Sequence, residues 1–277
     1  MGADRGQGRG TPIPVTGGTF SANLSYDLWR AGVFTPTTLS VTLRARDAAG
    51  NWSQVTVTRT TNSLLLFSSG FENSNIGAFN LGVTGATALS SNPRLAGTYS
   101  LRANVRPAAY YAVDLTAAPY SVAGGLAGMH SSVLVSPRGV VTRCLAGTNV
   151  NTCQPNGVTI FSARNSTGNE VIAVQYGRAA ATSRTMFRVG VRGANGQVNY
   201  TGWTTRATAA NYTVTVDWQA GAGRGRAVLR VNGVALTSPN GASANRVATV
   251  QVGVMNSLAN TPTTKLGYLL FDTVSIA

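Results

Sequence analysis

Acid, lysine, histidine and cysteine are all scarce in this 277-residue chain, and each shortage closes a class of chemistry. His130 is the only histidine, so no site that needs two imidazoles can form. The acids Asp4, Asp27, Asp47, Glu72, Asp114, Glu170, Asp217 and Asp272 are so widely spread that no two lie within one strand length. Retaining glycoside hydrolysis from a single strand, which needs two carboxyls about 5 Å apart, lacks its pair. Ser131 and Ser132 stand beside His130 without a G-x-S-x-G nucleophile elbow, and His130 reads as a structural strand residue. Gly221 to Gly225 follows a strand but has no lysine or helix to make a phosphate loop, so it reads as a hairpin turn. No run approaches the roughly 18 apolar residues of a membrane-spanning helix; Leu64 to Phe67 is only strand-sized. The expectation is a protein that is neither an enzyme nor inserted in a membrane.

What is present is alternation. Apolar and polar residues alternate from Leu39 to Arg46, Val55 to Arg59, Thr98 to Val105, Val158 to Ala163 and Glu170 to Tyr176. The pattern continues from Met186 to Arg192, Tyr212 to Trp218, Arg226 to Val231, Val247 to Val254 and Tyr268 to Ile276, with turn clusters such as Ala194-Asn195-Gly196 and Asn232-Gly233 between. Helical spacing is nearly absent, so the chain reads as antiparallel all-β. Period-two geometry sends Tyr212, Val214, Val216 and Trp218 to one face and Thr213, Thr215 and Asp217 to the other. By the same rule Phe187, Val189 and Val191 turn inward with Arg188 and Arg192 outward, and Ala227, Leu229 and Val231 turn inward with Arg226 and Arg230 outward. Trp218 is thereby core, whereas Tyr110 and Tyr111 point to opposite faces.

The basic residues are 22 in number and give a net charge of +14, and all but Lys265 are arginine. A GC-rich coding sequence produces that bias without selection for a ligand; arginine nonetheless pairs bidentately with carboxylate, sulfate and phosphate. Blocks of like charge are missing, which argues against a nucleic-acid-binding tail. Cys144 and Cys153 flank a Gly- and Asn-rich segment that reads as a hairpin tip. A disulfide there adds about 2–3 kcal/mol and implies an oxidising compartment; two unpaired thiols are the alternative. Met1 to Gly10 is polar and lacks the apolar core of a secretory signal.

Two stretches resemble known families. GGTFSANLS (Gly17 to Ser25) and LSVTLRARDAAGNWSQVTVTRT (Leu39 to Thr60), with Asp47 to Asn51 as the turn, are similar to the later strands of a bacterial immunoglobulin-like domain. The resemblance implies a partial immunoglobulin-like unit over residues 17–62 after a flexible segment at 1–16, with the missing strands and a signal peptide upstream. From residue 63 to 277, LLLFSSGFENSNIGAFN, NYTVTVDWQAGAGRGRAVLRVNGVAL and LGYLLFDTVSIA resemble bacterial concanavalin-like or laminin-G-like jelly rolls. The expected fold is thus an antiparallel jelly-roll sandwich preceded by a small partial sandwich. Related jelly rolls often hold a structural calcium between their first and last strands, which here implies Glu72 and Asp272 as ligands; Thr273 stands where a second Asp often follows.

Non-catalytic jelly rolls commonly bind glycans, and the better candidates for stacking on sugar are Tyr200 and Trp203, because Gly202 permits a bulge that brings both rings to one rim. Arg188, Arg192, Arg226 and Arg230 make one cationic surface for anionic polysaccharide if their strands share a sheet. The leading expectation is a secreted or cell-surface, non-catalytic β-sandwich that binds glycan or acts in adhesion, joined to upstream domains of a longer chain. The alternatives are a purely architectural module and an electrostatic binder of anionic polymers; nucleic acid is the poorer partner.

Overall fold

A computed structural model describes residues 38–46, 49–60, 65–72, 78–85, 87–142, 144–146, 154–155, 157–178, 184–221, 225–236, 240–241, 244–256 and 267–277. In chain order its strands are β1 (Thr38–Arg46), β2 (Trp52–Thr60), β3 (Phe67–Ser69), β4 (Val83–Thr84), β5 (Thr87–Ser90), β6 (Ser100–Asn104) and β7 (Ala109–Asp114). There follow β8 (Gly128–Arg138), β9 (Cys144–Ala146), β10 (Gln154–Pro155), β11 (Val158–Arg164), β12 (Glu170–Arg178), β13 (Thr185–Arg192) and β14 (Val198–Tyr200). The last seven are β15 (Thr204–Arg206), β16 (Tyr212–Gln219), β17 (Gly225–Val231), β18 (Val234–Leu236), β19 (Asn240–Gly241), β20 (Thr249–Val254) and β21 (Tyr268–Ile276).

Two antiparallel sheets form the sandwich. The front sheet runs β14-β13-β12-β11-β20-β7-β4, with β15 also on β13; the back sheet runs β18-β17-β16-β8-β21-β6-β5, with β19 on β17 and β3 on β21. Neighbours such as β11 and β20 or β8 and β16 are far apart in sequence, the crossing pattern of a jelly-roll sandwich rather than a simple meander. The hairpin β1–β2 pairs in register from Thr38↔Thr60 to Arg46↔Trp52, within the segment that carries the immunoglobulin-like resemblance. The earlier strands of that resemblance, and the segment 1–16, lie outside the described residues. β9 pairs with β10, as a hairpin around the cysteine segment requires; Cys153 and the Cys144 side chain lie outside the described residues.

Alternation dictates the core. Phe187, Val189 and Val191 from the front sheet meet Tyr212, Val214, Val216, Trp218, Ala227, Leu229 and Val231 from the back, all buried. The rings of Tyr176, Phe187 and Tyr212 bridge the two sheets with centroids 5.6 and 5.2 Å apart, edge-on or tilted as ring quadrupoles prefer. Phe67, Phe71, Phe79 and Tyr111 fill the other end. Each such side chain contributes about 1.5–3 kcal/mol by leaving water. Among the described residues no helix is long and apolar enough to cross a membrane.

Candidate functional site

The outward side of the front sheet has a floor of residues that, Gln251 apart, are small. Across five strands, Gly190 (β13), Ala173 (β12), Ser162 (β11), Gln251 (β20) and Ala112 (β7) stand in one register row. Period-two alternation sends these residues away from the core, and longer side chains from the neighbouring rows lie over them.

On one side of the row, Arg188 is the centre of a cluster. Its guanidinium carbon lies 4.4 Å from the ring centre of Tyr200 and 4.4 Å from that of Trp203. Its Nε donates to Gln175 Oε1 at 2.8 Å. The Gln175 amide in turn donates to the Tyr200 hydroxyl (3.2 Å) and the Thr159 hydroxyl (3.1 Å), so a nearly buried glutamine fixes two strands and a ring at once. The chain leaves the β13 ladder between β14 and β15, where Gly202 sits, and Thr201 holds Val189 through both its backbone N–H and its hydroxyl. That break brings Tyr200 and Trp203 together against Arg188.

Glycines make the room. A Cβ on Gly190 would meet Tyr200 Cε1 at 2.6 Å, and one on Gly177 would meet Pro155 Cγ at 2.5 Å and Trp203 Cη2 at 3.2 Å. A side chain at either position would lift a ring off the sheet. Burial, then the Glu170 charge, raises the Tyr200 hydroxyl to about 12 against the pull of Arg188. Burial also lowers the Arg188 guanidinium, while Tyr200 opposes that shift.

On the other side of the row, Arg192 Nε donates to the Glu170 carbonyl at 2.8 Å and its Nη1 to the Gly196 carbonyl. Arg164 donates from Nε to Gln251 Oε1 (2.8 Å) and from Nη1 to the Gly168 carbonyl (2.9 Å). Glu170 accepts from the Ser162 hydroxyl at 2.9 Å. Sequence reasoning missed Gln175, Arg164, Glu170 and Gln251. The available signal was Gly177 and Gly190, glycines inside strands, which mark close approach by another group.

The four arginines expected to act together are divided. Arg188 and Arg192 lie on β13 in the front sheet, Arg226 and Arg230 on β17 in the back sheet, so their outward faces look in opposite directions and make no single cationic surface. The reason is topological: β13 and β17 face one another across the core through their valines and leucines. On the back face Arg226 is exposed, whereas Arg230 ion-pairs with Asp217. Asp217 also binds His130, its cross-strand neighbour, with Nδ1 to Oδ1 at 2.6 Å. Burial pushes the Asp217 carboxyl up, but the His130 and Arg230 hydrogen bonds and charges pull it below its ordinary value.

Glu72 and Asp272 do come together, on either side of Gly70. Glu72 accepts the Thr98 N–H on both oxygens, at 2.9 and 2.8 Å. Asp272 accepts from Ala96 N (3.0 Å), Ser100 Oγ (2.7 Å) and Thr273 N (2.7 Å). Both clasp the 94–100 segment. Among the described residues no group of three or more His, Cys, Asp or Glu side chains gathers to hold a metal.

No family model matches the chain, and no curated relative matches it. Solved structures do. A carbohydrate esterase of the Shiga toxin-encoding bacteriophage phi24B aligns at 12% identity and TM-score 0.47 over 76% of this chain and 97% of its own. The binding domain of botulinum neurotoxin DC, solved with rat synaptotagmin II, aligns at 10% identity and TM-score 0.49 over 76% of this chain and 47% of its own. The alginate lyase of Klebsiella pneumoniae aligns at 13% identity and TM-score 0.45 over 76% of this chain and 93% of its own. Likeness at this level assigns no chemistry to this chain, whose own residues carry the reading that follows.

Proposed function

We propose that the protein is a glycan-binding β-sandwich whose site is the outward face of the front sheet. The carrying observation is the seating of Tyr200 and Trp203 on one rim, both rings held against Arg188 over strand glycines. Sugars are recognised by rings that meet their C–H faces and by amides, hydroxyls and guanidinium groups that meet their hydroxyls. This face supplies both kinds. Gln175 and Thr159, both buried, hold the Tyr200 ring and Arg188 from below, Ser162 and Gln251 lie buried in the central row, and because their strands are hydrogen-bonded neighbours the geometry is set before any ligand arrives.

The binding is non-catalytic in this reading, and the protein works where glycans are displayed, as a secreted or surface module. Among the described residues the acids on this face are Glu170, which accepts from the Ser162 hydroxyl, and Asp114, on β7, which accepts from the Thr116 hydroxyl. A glycan array with wild type and Trp203→Ala tests the proposal. Retention of some glycan class by the wild type and its loss in the variant supports it; retention of nothing, or equal retention by both, overturns it.

A further inference from the structure

The front-face arginines differ from Arg230 in one respect that the glycan reading leaves unused. Arg230 has a carboxylate, Asp217. Arg188, Arg192 and Arg164 make no salt bridge among the described residues, and all three donate to neutral oxygens instead: an amide for Arg188, a second amide and a carbonyl for Arg164, two carbonyls and an amide for Arg192. The acids that share their face are Glu170 and, at the far side on β7, Asp114, each engaged by a hydroxyl.

A partly buried guanidinium without a counter-ion is costly to the folded chain, since burial disfavours its charge and nothing opposite restores it. Arg188 is that case. The two rings and Gln175 fix its plane and occupy its Nε, and among the described residues its two terminal nitrogens have no hydrogen-bond partner. Two parallel N–H donors fixed in one plane match the two oxygens of an oxyanion, and the neighbouring rings offer a surface for the body that bears it.

We propose that the front face selects acidic sugars, with the oxyanion of a uronate or sulfated residue seated on the terminal nitrogens of Arg188 and with Arg192 and Arg164 drawing further anionic residues along the row of small side chains. This rests on the glycan-binding reading and narrows it. Glu170, the nearest acid on that face, works against it and so provides a handle of opposite sign.

The test is an array carrying uronate, sulfated and neutral oligosaccharides, probed at low and moderate salt with wild type, Arg188→Lys and Glu170→Gln, each checked for a native melting transition. Arg188→Lys keeps the charge and loses the planar fork; Glu170→Gln keeps the shape and loses the repulsion. The expected result is retention of acidic over neutral glycans, falling steeply with salt. Acidic binding should drop roughly ten- to a hundred-fold in Arg188→Lys and strengthen in Glu170→Gln. Preference for uronate or for sulfate tells which oxyanion is read. Equal, salt-independent binding of neutral and acidic glycans overturns the acidic selection and leaves glycan binding standing; acidic binding untouched by both variants removes it from Arg188; retention of no glycan overturns both.

Discussion

The guanidinium of Arg188 and the indole of Trp203 meet 4.4 Å apart on the outward face of the front sheet, and each holds the other in place. Trp203→Ala removes a cation–π contact worth about 0.5–1 kcal/mol and frees Arg188 to turn into solvent. Stability should fall by about 1–2 kcal/mol in chemical denaturation, an effect small beside the loss of glycan binding. If the variant unfolds outright, the ring is part of the core and not of a binding rim.

Gly190 sits under Tyr200. In Gly190→Ala the added methyl displaces the ring, and because the nearest atoms belong to side chains, Tyr200 Cε1 and Val198 Cγ1, the strand itself can stay. The variant should keep a cooperative melting transition, cost about 1–3 kcal/mol, and lose glycan affinity more severely than stability. Unchanged affinity would show that Tyr200 takes no part in binding.

Asp217 gives the protein an acid-side weakness. Its carboxyl lies below the ordinary value because the His130 and Arg230 hydrogen bonds outweigh the effect of burial. A carboxyl lowered on folding adds stability above its unfolded pKa, near 3.9, and that contribution is lost as pH falls through the folded value. Asp217→Asn should therefore be less stable than wild type at neutral pH by about 1–3 kcal/mol and show a shallower loss on acidification. Arg230 is half-exposed and adds little as an ion pair, so Arg230→Gln should cost less than about 1 kcal/mol. Parallel pH–stability curves for wild type and Asp217→Asn would contradict the assignment.

Glu72 and Asp272 tie the 94–100 segment to the first and last strands of the sandwich through hydrogen bonds of their own. Melting temperature should be the same in calcium and in chelator, while Glu72→Ala, which strands the Thr98 N–H, should lower it under both conditions. A calcium-dependent rise that vanishes in Glu72→Ala would establish a calcium site.

Alternation made most of the sandwich legible. Tyr268 to Ile276 forms the strand read from sequence, and Tyr212 to Trp218 extends by one residue, with Trp218 fully buried as its face requires. β8 is the longest strand of the back sheet; the sequence places His130 on a strand without bounding it, because Ser131 occupies a buried position and blurs the apolar period of GMHSSVLVSPR. The partnership of Tyr200 and Trp203 could be anticipated from a local feature, Gly202. Their dependence on Arg188 and Gln175 could not, since those contacts depend on which strands become neighbours. The same limit explains the division of the arginines: period two says which side of a strand Arg188 and Arg230 occupy, but only strand order says that the two sides face apart. His130 and Asp217 likewise lie 87 positions apart and meet only because β8 and β16 pair.

The most direct test of the account is a nuclear magnetic resonance titration of the protein with the best-retained glycan, following side-chain N–H signals. The Trp203 indole and the Gln175 amide should shift progressively with ligand, while the Trp218 indole, buried in the core between the two sheets, should not. Shifts gathered around His130, Asp217 and Arg226, with Trp203 unmoved, would place the ligand on the back face and contradict the central claim.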